Sequence, residues 1–248
     1  MRKHRIALTL LLLLSLASLS ACAYANYNPS PSNASPSDAS TNPTDESVDS
    51  GGFAETEETA SARDDERLYE KCVQIDELPP SDIVTEDSYV FDDRTLLLED
   101  TVENELERLI FDYYYARSAG DFEKIYNLNG ETEYLRIATK NEENAFNEGV
   151  YMSEYILHEL AVLTVEDLQE LPDSSKEDLL EKIDTFQFDQ YAIVQVDVSM
   201  KYNEAWLDRS PQLEEGRYLR CYLFATTADV PEFKIYELYW GELFLATD

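Results

Sequence analysis

Imidazole chemistry in this chain rests on one residue. Of its two histidines, His4 stands among the first basic residues, which leaves His158. Any Ser-His-Asp or Cys-His arrangement must therefore run through His158, and there is no G-x-S-x-G elbow to hold a serine against it. Asp197 lies on the more polar side of an alternating stretch, in line with Ile193, Gln195 and Ser199. With His158 on a neighbouring strand and a phenol from Tyr113 to Tyr115, Tyr114 at its centre, these groups make a candidate proton-transfer site. The competing reading is a solvated outer strand face for Asp197 and a half-buried, hydrogen-bonded imidazole for His158. Acids number 52 and tyrosines 17, so a carboxylate–tyrosine pair is weak evidence by itself.

Three cysteines are present, Cys22, Cys72 and Cys221. Cys72 and Cys221 either close one disulfide, stapling an early segment to a strand, or stay as two thiols with Cys221 buried as a small hydrophobe. Both arrangements stay open. A lone imidazole removes His-rich zinc sites. Asn127-Leu128-Asn129-Gly130 has the look of a calcium loop, but Ile125 stands where the first oxygen ligand belongs, so a tight turn explains it. No metal or cofactor is expected. Tyr218, Tyr222 and Phe224 share one strand face, and Tyr236 and Trp240 one face of the next. That spacing suits a stacking platform for glycans, and it equally suits core packing of a bent sheet.

Charge narrows the partners. The formal net charge is −33, from 52 acidic and 19 basic residues. Affinity for nucleic acid or anionic lipid depends on Lys and Arg neutralising phosphates, so nucleic-acid binding is rejected. Such acidity serves solubility and self-repulsion; diffuse attraction of divalent cations or of a basic partner is the sharper reading.

The positioning elements begin with an export leader. Arg2, Lys3 and Arg5 precede an apolar run from Ile6 to Leu19, too short for a permanent span of ~20 residues. The ending Leu19-Ser20-Ala21-Cys22 resembles the bacterial lipobox. The resemblance implies cleavage before Cys22, lipidation of its thiol, and a location on the extracytoplasmic face of the cell membrane. Residues 1–21 then form the signal peptide. Residues 22–62, rich in Ser, Asn, Pro, Asp, Thr and Ala, form a disordered tether spanning roughly 35 Å r.m.s.. Residues 63–93 form a transition, with a short helix over Leu68, Cys72 and Ile75 ended by Pro79-Pro80, packed on the outside of the domain.

The domain is placed at 94–248. Leu98, Val102, Leu106, Leu109, Ile110, Tyr113 and Tyr114 form one helical stripe, which stops at Gly120. Asp121 is placed to cap a second helix, Phe122 to Leu128, and a third runs from about Glu131 to Asn147. Tyr155, Leu157, Ala161 and Leu163 then share one strand face, with Ile156, Leu160 and Val162 on the other. Val165 to Ile183 reads as a helical excursion broken at Pro172, with Ser174 and Ser175 available as caps. Ala192 to Tyr202 alternates as a strand with one buried face; Arg217 to Thr226 returns, and Glu232 to Leu245 closes the sheet. Helices followed by a strand meander predict an α+β fold, with N-terminal helices on one face of a strongly curved antiparallel sheet.

The stretch Tyr113-Tyr114-Tyr115-Ala116-Arg117-Ser118-Ala119-Gly120-Asp121-Phe122 resembles the first-helix ending of the nuclear transport factor 2-like superfamily. Phe233-Lys234-Ile235-Tyr236-Glu237-Leu238 resembles that family's last strand. The resemblance implies a cone: helices over a bent sheet, with a pocket at the open end. The family holds isomerases, dehydratases and cyclases beside non-catalytic domains, so the fold fixes no function. The expectation is a lipid-anchored, non-catalytic binding or scaffold module for an envelope component, small ligand or protein partner. The alternative is a small-molecule enzyme of isomerase or dehydratase type using the cone. A homodimer through the exposed sheet face is a further expectation.

Overall fold

Local chemistry decides where each helix starts and stops. In the computed structural model, residues 66–83, 85–211 and 213–245 are described. The signal peptide 1–21, lipidated Cys22 and the tether 22–62 fall outside them. Residues 66–70 form helix α1, and a 3-10 turn spans Ile75–Glu77. Strands β1 (Ser88–Phe91) and β2 (Arg94–Leu98) precede α2 (Glu105–Ala119), α3 (Phe122–Leu128) and α4 (Glu133–Asn147). Asn104 caps α2, its side chain accepting from the Leu106 and Glu107 amides at 3.0 Å each. Gly120 ends that helix at φ 76°, and Asp121 caps α3 as the spacing predicts. Then follow β3 (Met152–Val162), α5 (Val165–Gln169), α6 (Asp173–Phe186), β4 (Phe188–Tyr202), α7 (Glu204–Leu207), β5 (Gly216–Thr227), β6 (Lys234–Trp240) and α8 (Gly241–Phe244).

The strands form one sheet in the order β1-β2-β3-β4-β5-β6, and the fold is α+β. Its neighbours are antiparallel except β2 and β3, which run parallel. The wholly antiparallel expectation fails there because α2, α3 and α4 carry the chain back before β3 begins, a crossover that returns it in the same direction.

Three further expectations are corrected. The helical stripe does not begin at Leu98: residues 94–98 alternate in burial as a strand, with Leu96 and Leu98 inward. Residue 94 is also no boundary, since Phe91 pairs with Arg94 in a hairpin and Leu68, far upstream, is wholly buried. Helices cover both faces of the sheet, not one. Leu106, Ile110, Tyr114, Phe122, Ile125 and Leu135 cover the face carrying Ala192, Val194, Val196 and Val198. Leu68, Leu168, Leu179, Ile183 and Phe244, from α1, α5, α6 and α8, cover a second core on Tyr191, Ile193, Cys221 and Leu223 of the opposite face. Each fully buried aliphatic side chain contributes roughly 1.5–3 kcal/mol. The apolar part of the face proposed for homodimerisation is therefore already covered within the chain.

Two bulges reset the alternation. A register shift between Leu157 and Glu159 puts Leu160 and Val162 on the same face as Tyr155 and Leu157. A second, between Leu223 and Phe224, places Tyr236 in the second core while Trp240 faces Tyr218 on the other side. Tyr236 and Trp240 therefore do not share a face. Ser175 caps nothing at the start of α6: Pro172 holds that position without a side-chain bond, and the Ser175 hydroxyl donates to the Phe244 carbonyl at 2.8 Å.

Candidate functional site

The bulge in β3 positions His158. It leaves the residue without a partner in the ladder register, on the outer face above the neighbouring β4. There its Nδ1 meets Glu99 Oε2 at 2.6 Å and its Nε2 meets Ser199 Oγ at 2.8 Å. A carboxylate only accepts, so Nδ1–H donates to Glu99 and Nε2 accepts from the serine hydroxyl. The imidazole side chain is 14% exposed, the half-buried state anticipated for it, while Glu99 is 58% exposed. Asp197 lies on the same face, in register with Glu159, and is held by both Nε and Nη2 of Arg217 at 2.7 and 2.6 Å. That hydrogen-bonded guanidinium holds the Asp197 carboxyl below its usual range, against a smaller opposing effect of burial.

The sheet brings Asp197 and His158 together and keeps Tyr114 apart. Tyr114 projects from α2 into the opposite core, where its hydroxyl is 2.7 Å from that of Tyr222. The three-part proton-transfer site is thus not assembled. Glu99, His158 and Ser199 have the order of a catalytic triad, but Ser199 sits in register with Ile156 and Arg217 inside the ladder. Its neighbouring amides serve the sheet, so no backbone oxyanion hole faces the hydroxyl.

A groove of about 380 Å³ touches His158 and is lined also by Asp100, Glu103, Glu107 and Glu159. Its acids have structural duties. Asp100 accepts from the Thr101 and Leu160 amides, each at 2.8 Å, pinning the chain beyond the bulge. Glu107 accepts from the Glu103 amide and Asn104 Nδ2, each at 2.7 Å, closing the cap of α2. Burial pushes the Glu107 carboxyl up, partly offset by those bonds. Among the described residues, no group of three or more metal-capable side chains converges.

The two cysteines do not bond. Cys72 pairs with Tyr191 on one side of β4, while Cys221 pairs with Gln195 on the other side, four residues along. Sheet spacings put them on the order of 15 Å apart, against the roughly 4–7 Å between Cα atoms that a disulfide needs. Burial pushes the Cys72 thiol up to about 12.

The inner face tells a different story at one end. Tyr113, Tyr114, Tyr155 and Tyr222 meet edge to face, with centroids 5.1–6.2 Å apart. Burial drives the phenols of Tyr155 and Tyr222 well above their ordinary value, and that of Tyr114 up as well. Among the described residues, the Tyr155 hydroxyl has no hydrogen-bond partner. Arg117 lies over Tyr113 and Tyr155 at 5.5 and 5.2 Å and is held by Glu142 at 2.7 Å. Among the described residues, no carboxylate hydrogen-bonds the Tyr114–Tyr222 pair.

Beside these phenols, Arg220 stacks on Trp240 with its guanidinium carbon 3.5 Å from the ring centroid. Tyr218 packs edge-on against the same indole at 5.9 Å. Both Arg220 and Arg117 act electrostatically on Tyr114, Tyr202 and Tyr222, which sets the two cations around one set of phenols. Sequence reasoning weighed these rings as a glycan platform or as core packing and gave Arg220 no part in either. The signal was a charge at an inward position, Arg220, between Tyr218 and Tyr222. No protein-family model, curated protein or solved structure matches the chain.

Proposed function

We propose that this chain is an exported lipoprotein, anchored through a fatty-acylated Cys22 and a tether over residues 22–62. On this reading its α+β domain is a nuclear transport factor 2-like cone that works as a non-catalytic binding module, as a single copy, on the outer side of the membrane. One observation carries the non-catalytic part. The inner face is filled by side chains: Tyr114 and Tyr222 are each 1% exposed and hydrogen-bonded to one another, and the nearby acid, Glu142, is tied to Arg117. An isomerase-type cone needs an open apolar pocket with a carboxylate base, and this one offers dry phenols.

The anchor is tested by radiolabelled palmitate, which enters the wild type and fails to enter Cys22→Ala. Label in Cys22→Ala, or wild type recovered unacylated from the cytosol, overturns it. The filled cone is tested with the uncharged solvatochromic dye Nile red. Folded protein leaves its fluorescence near the level in buffer, whereas a strong blue-shifted signal from native protein reveals an open apolar pocket and reinstates the enzyme reading.

A further inference from the structure

We propose that the Arg220–Trp240 stack is the recognition point of the module and takes the carboxylate of a small organic acid carrying a planar ring. The inference rests on the binding-module reading and names the ligand class for it.

Charge sets the argument in motion. In a chain of net charge −33, basic side chains are scarce and are mostly consumed by acids. Arg217 is taken by Asp197, Arg117 by Glu142, Lys182 by Glu237 and Lys201 by Glu154. Arg220 differs: among the described residues no carboxylate lies within ion-pair distance of it, and its guanidinium lies over the indole face of Trp240. It is half-buried, on the inner side of β5, where desolvation penalises an unanswered charge.

The surroundings define what answers the charge. Stacking on Trp240 fixes the guanidinium plane and leaves its edge donors free in that plane, the geometry that grips a carboxylate with two parallel hydrogen bonds. Beside it stands Tyr218, packed edge-on against Trp240. These rings offer stacking surface to a flat body attached to the acid. Arg117, though paired, adds positive potential at Tyr202 and Tyr222, on which Arg220 also acts. Long-range repulsion from so acidic a protein opposes any anion, so binding requires the short-range fork and the rings together.

The test uses the full chain in detergent, with benzoate as the acid and benzamide as its neutral isostere. Nuclear magnetic resonance of the Arg220 Nε–H and Trp240 indole N–H groups reads binding. Benzoate is expected to shift both signals saturably, benzamide to shift neither, and Arg220→Gln, verified as folded by circular dichroism, to weaken benzoate at least tenfold. Equal saturable binding of both compounds overturns the carboxylate assignment and leaves a ring-binding module standing. Benzoate binding unchanged in Arg220→Gln overturns it likewise. No saturable shift from either compound at millimolar concentration removes both the assignment and the placement of the binding site at this end.

Discussion

Successive residues of β4 face two different solvents. Val194, Val196 and Val198 point into the core under α2, α3 and α4 and are wholly buried; Gln195, Asp197 and Ser199 point to the outer face and stay partly wet. Both faces hold groups able to do chemistry. On the outer face those named so far have partners: Asp197 has Arg217, His158 has Glu99 and Ser199, and Glu154 has Lys201. On the inner face they are phenols, kept neutral by burial. The difference teaches that titratable groups in proximity are not yet a site. What marks one in the proposal above is a half-buried charge with no opposite charge beside it among the described residues, as at Arg220.

The largest expected effect compares neighbours on one strand. Val196→Asp puts an unpaired carboxylate into the dry face, at a cost of several kcal/mol. Against the roughly 5–15 kcal/mol that holds a domain together, this unfolds the protein or leaves it barely folded at 25 °C. Asp197→Val removes a charge from the wet face and frees an Arg217 side chain that is already 60% exposed. Its thermal midpoint, read by circular dichroism, stays close to wild type. Similar midpoints for the two variants would mean that the two faces do not differ in solvent access.

Next in size is the phenol pair. Tyr222→Phe leaves the Tyr114 hydroxyl buried without a partner and is expected to cost about 1–3 kcal/mol. Adding Tyr114→Phe removes the orphan and recovers part of that loss, so urea denaturation of the two single variants and the double variant gives a non-additive cycle. Strict additivity would show that the 2.7 Å contact between the hydroxyls carries no coupling.

Much of this architecture is legible in the residues, and the rest is hidden for definable reasons. The alternation from Ala192 to Tyr202 and the Gly120-Asp121 junction announce a strand and a helix break because each rests on local stereochemistry. The bulges at His158 and Tyr236 escape notice, since one extra residue shifts the phase of a strand without changing its composition. Leu98 and Val102 fit a helical period and a strand equally, and only pairing with β1 and β3 decides for the strand at Leu98. The outer helices α5 and α6 are visible as helices, but nothing local states which face of the sheet they cover. Of the candidate site, His158 and Asp197 are found on one face as their alternation implies, while Glu99, read as part of a solvated helix face, arrives from the loop after β2.

Alkaline pH separates the two cores more gently. Cys72, in the core beneath α1, is pushed up to about 12 from an ordinary value of 9.0. Above that ordinary value the unfolded chain releases the thiol proton while the folded chain keeps it. The unfolded state then binds fewer protons, and stability falls as pH rises from about 9 toward 12. The inner-face phenols act in the same direction from their ordinary value of 10.0. Cys72→Ala is therefore expected to flatten the early part of the loss and leave the later part, as followed by urea midpoints across the series. A parallel profile for wild type and Cys72→Ala would place the alkaline sensitivity entirely in the phenols. The same burial keeps Cys72 unreactive toward iodoacetamide in the native state at pH 8, with alkylation following unfolding.

The smallest expected effect falls on the arrangement that most resembles a catalytic device. Glu99, His158 and Ser199 align at 2.6 and 2.8 Å, yet Ser199 lies flat in a strand whose amides are engaged on both sides. An attacked carbonyl would find a base for the serine proton and no backbone donors for the oxygen that gains charge, the contribution that usually dominates acyl transfer. A fluorophosphonate probe is thus expected to leave Ser199 unmodified by mass spectrometry. Ser199→Ala removes one partly wet hydrogen bond and costs about 1 kcal/mol or less. Stoichiometric labelling at Ser199, abolished by His158→Ala in a folded variant, would reverse the comparison and move the chemistry to the outer face. Without it, the imidazole is a tie between the loop after β2 and strand β4, and the proposed recognition point stays on the other side of the sheet, at the Arg220–Trp240 stack.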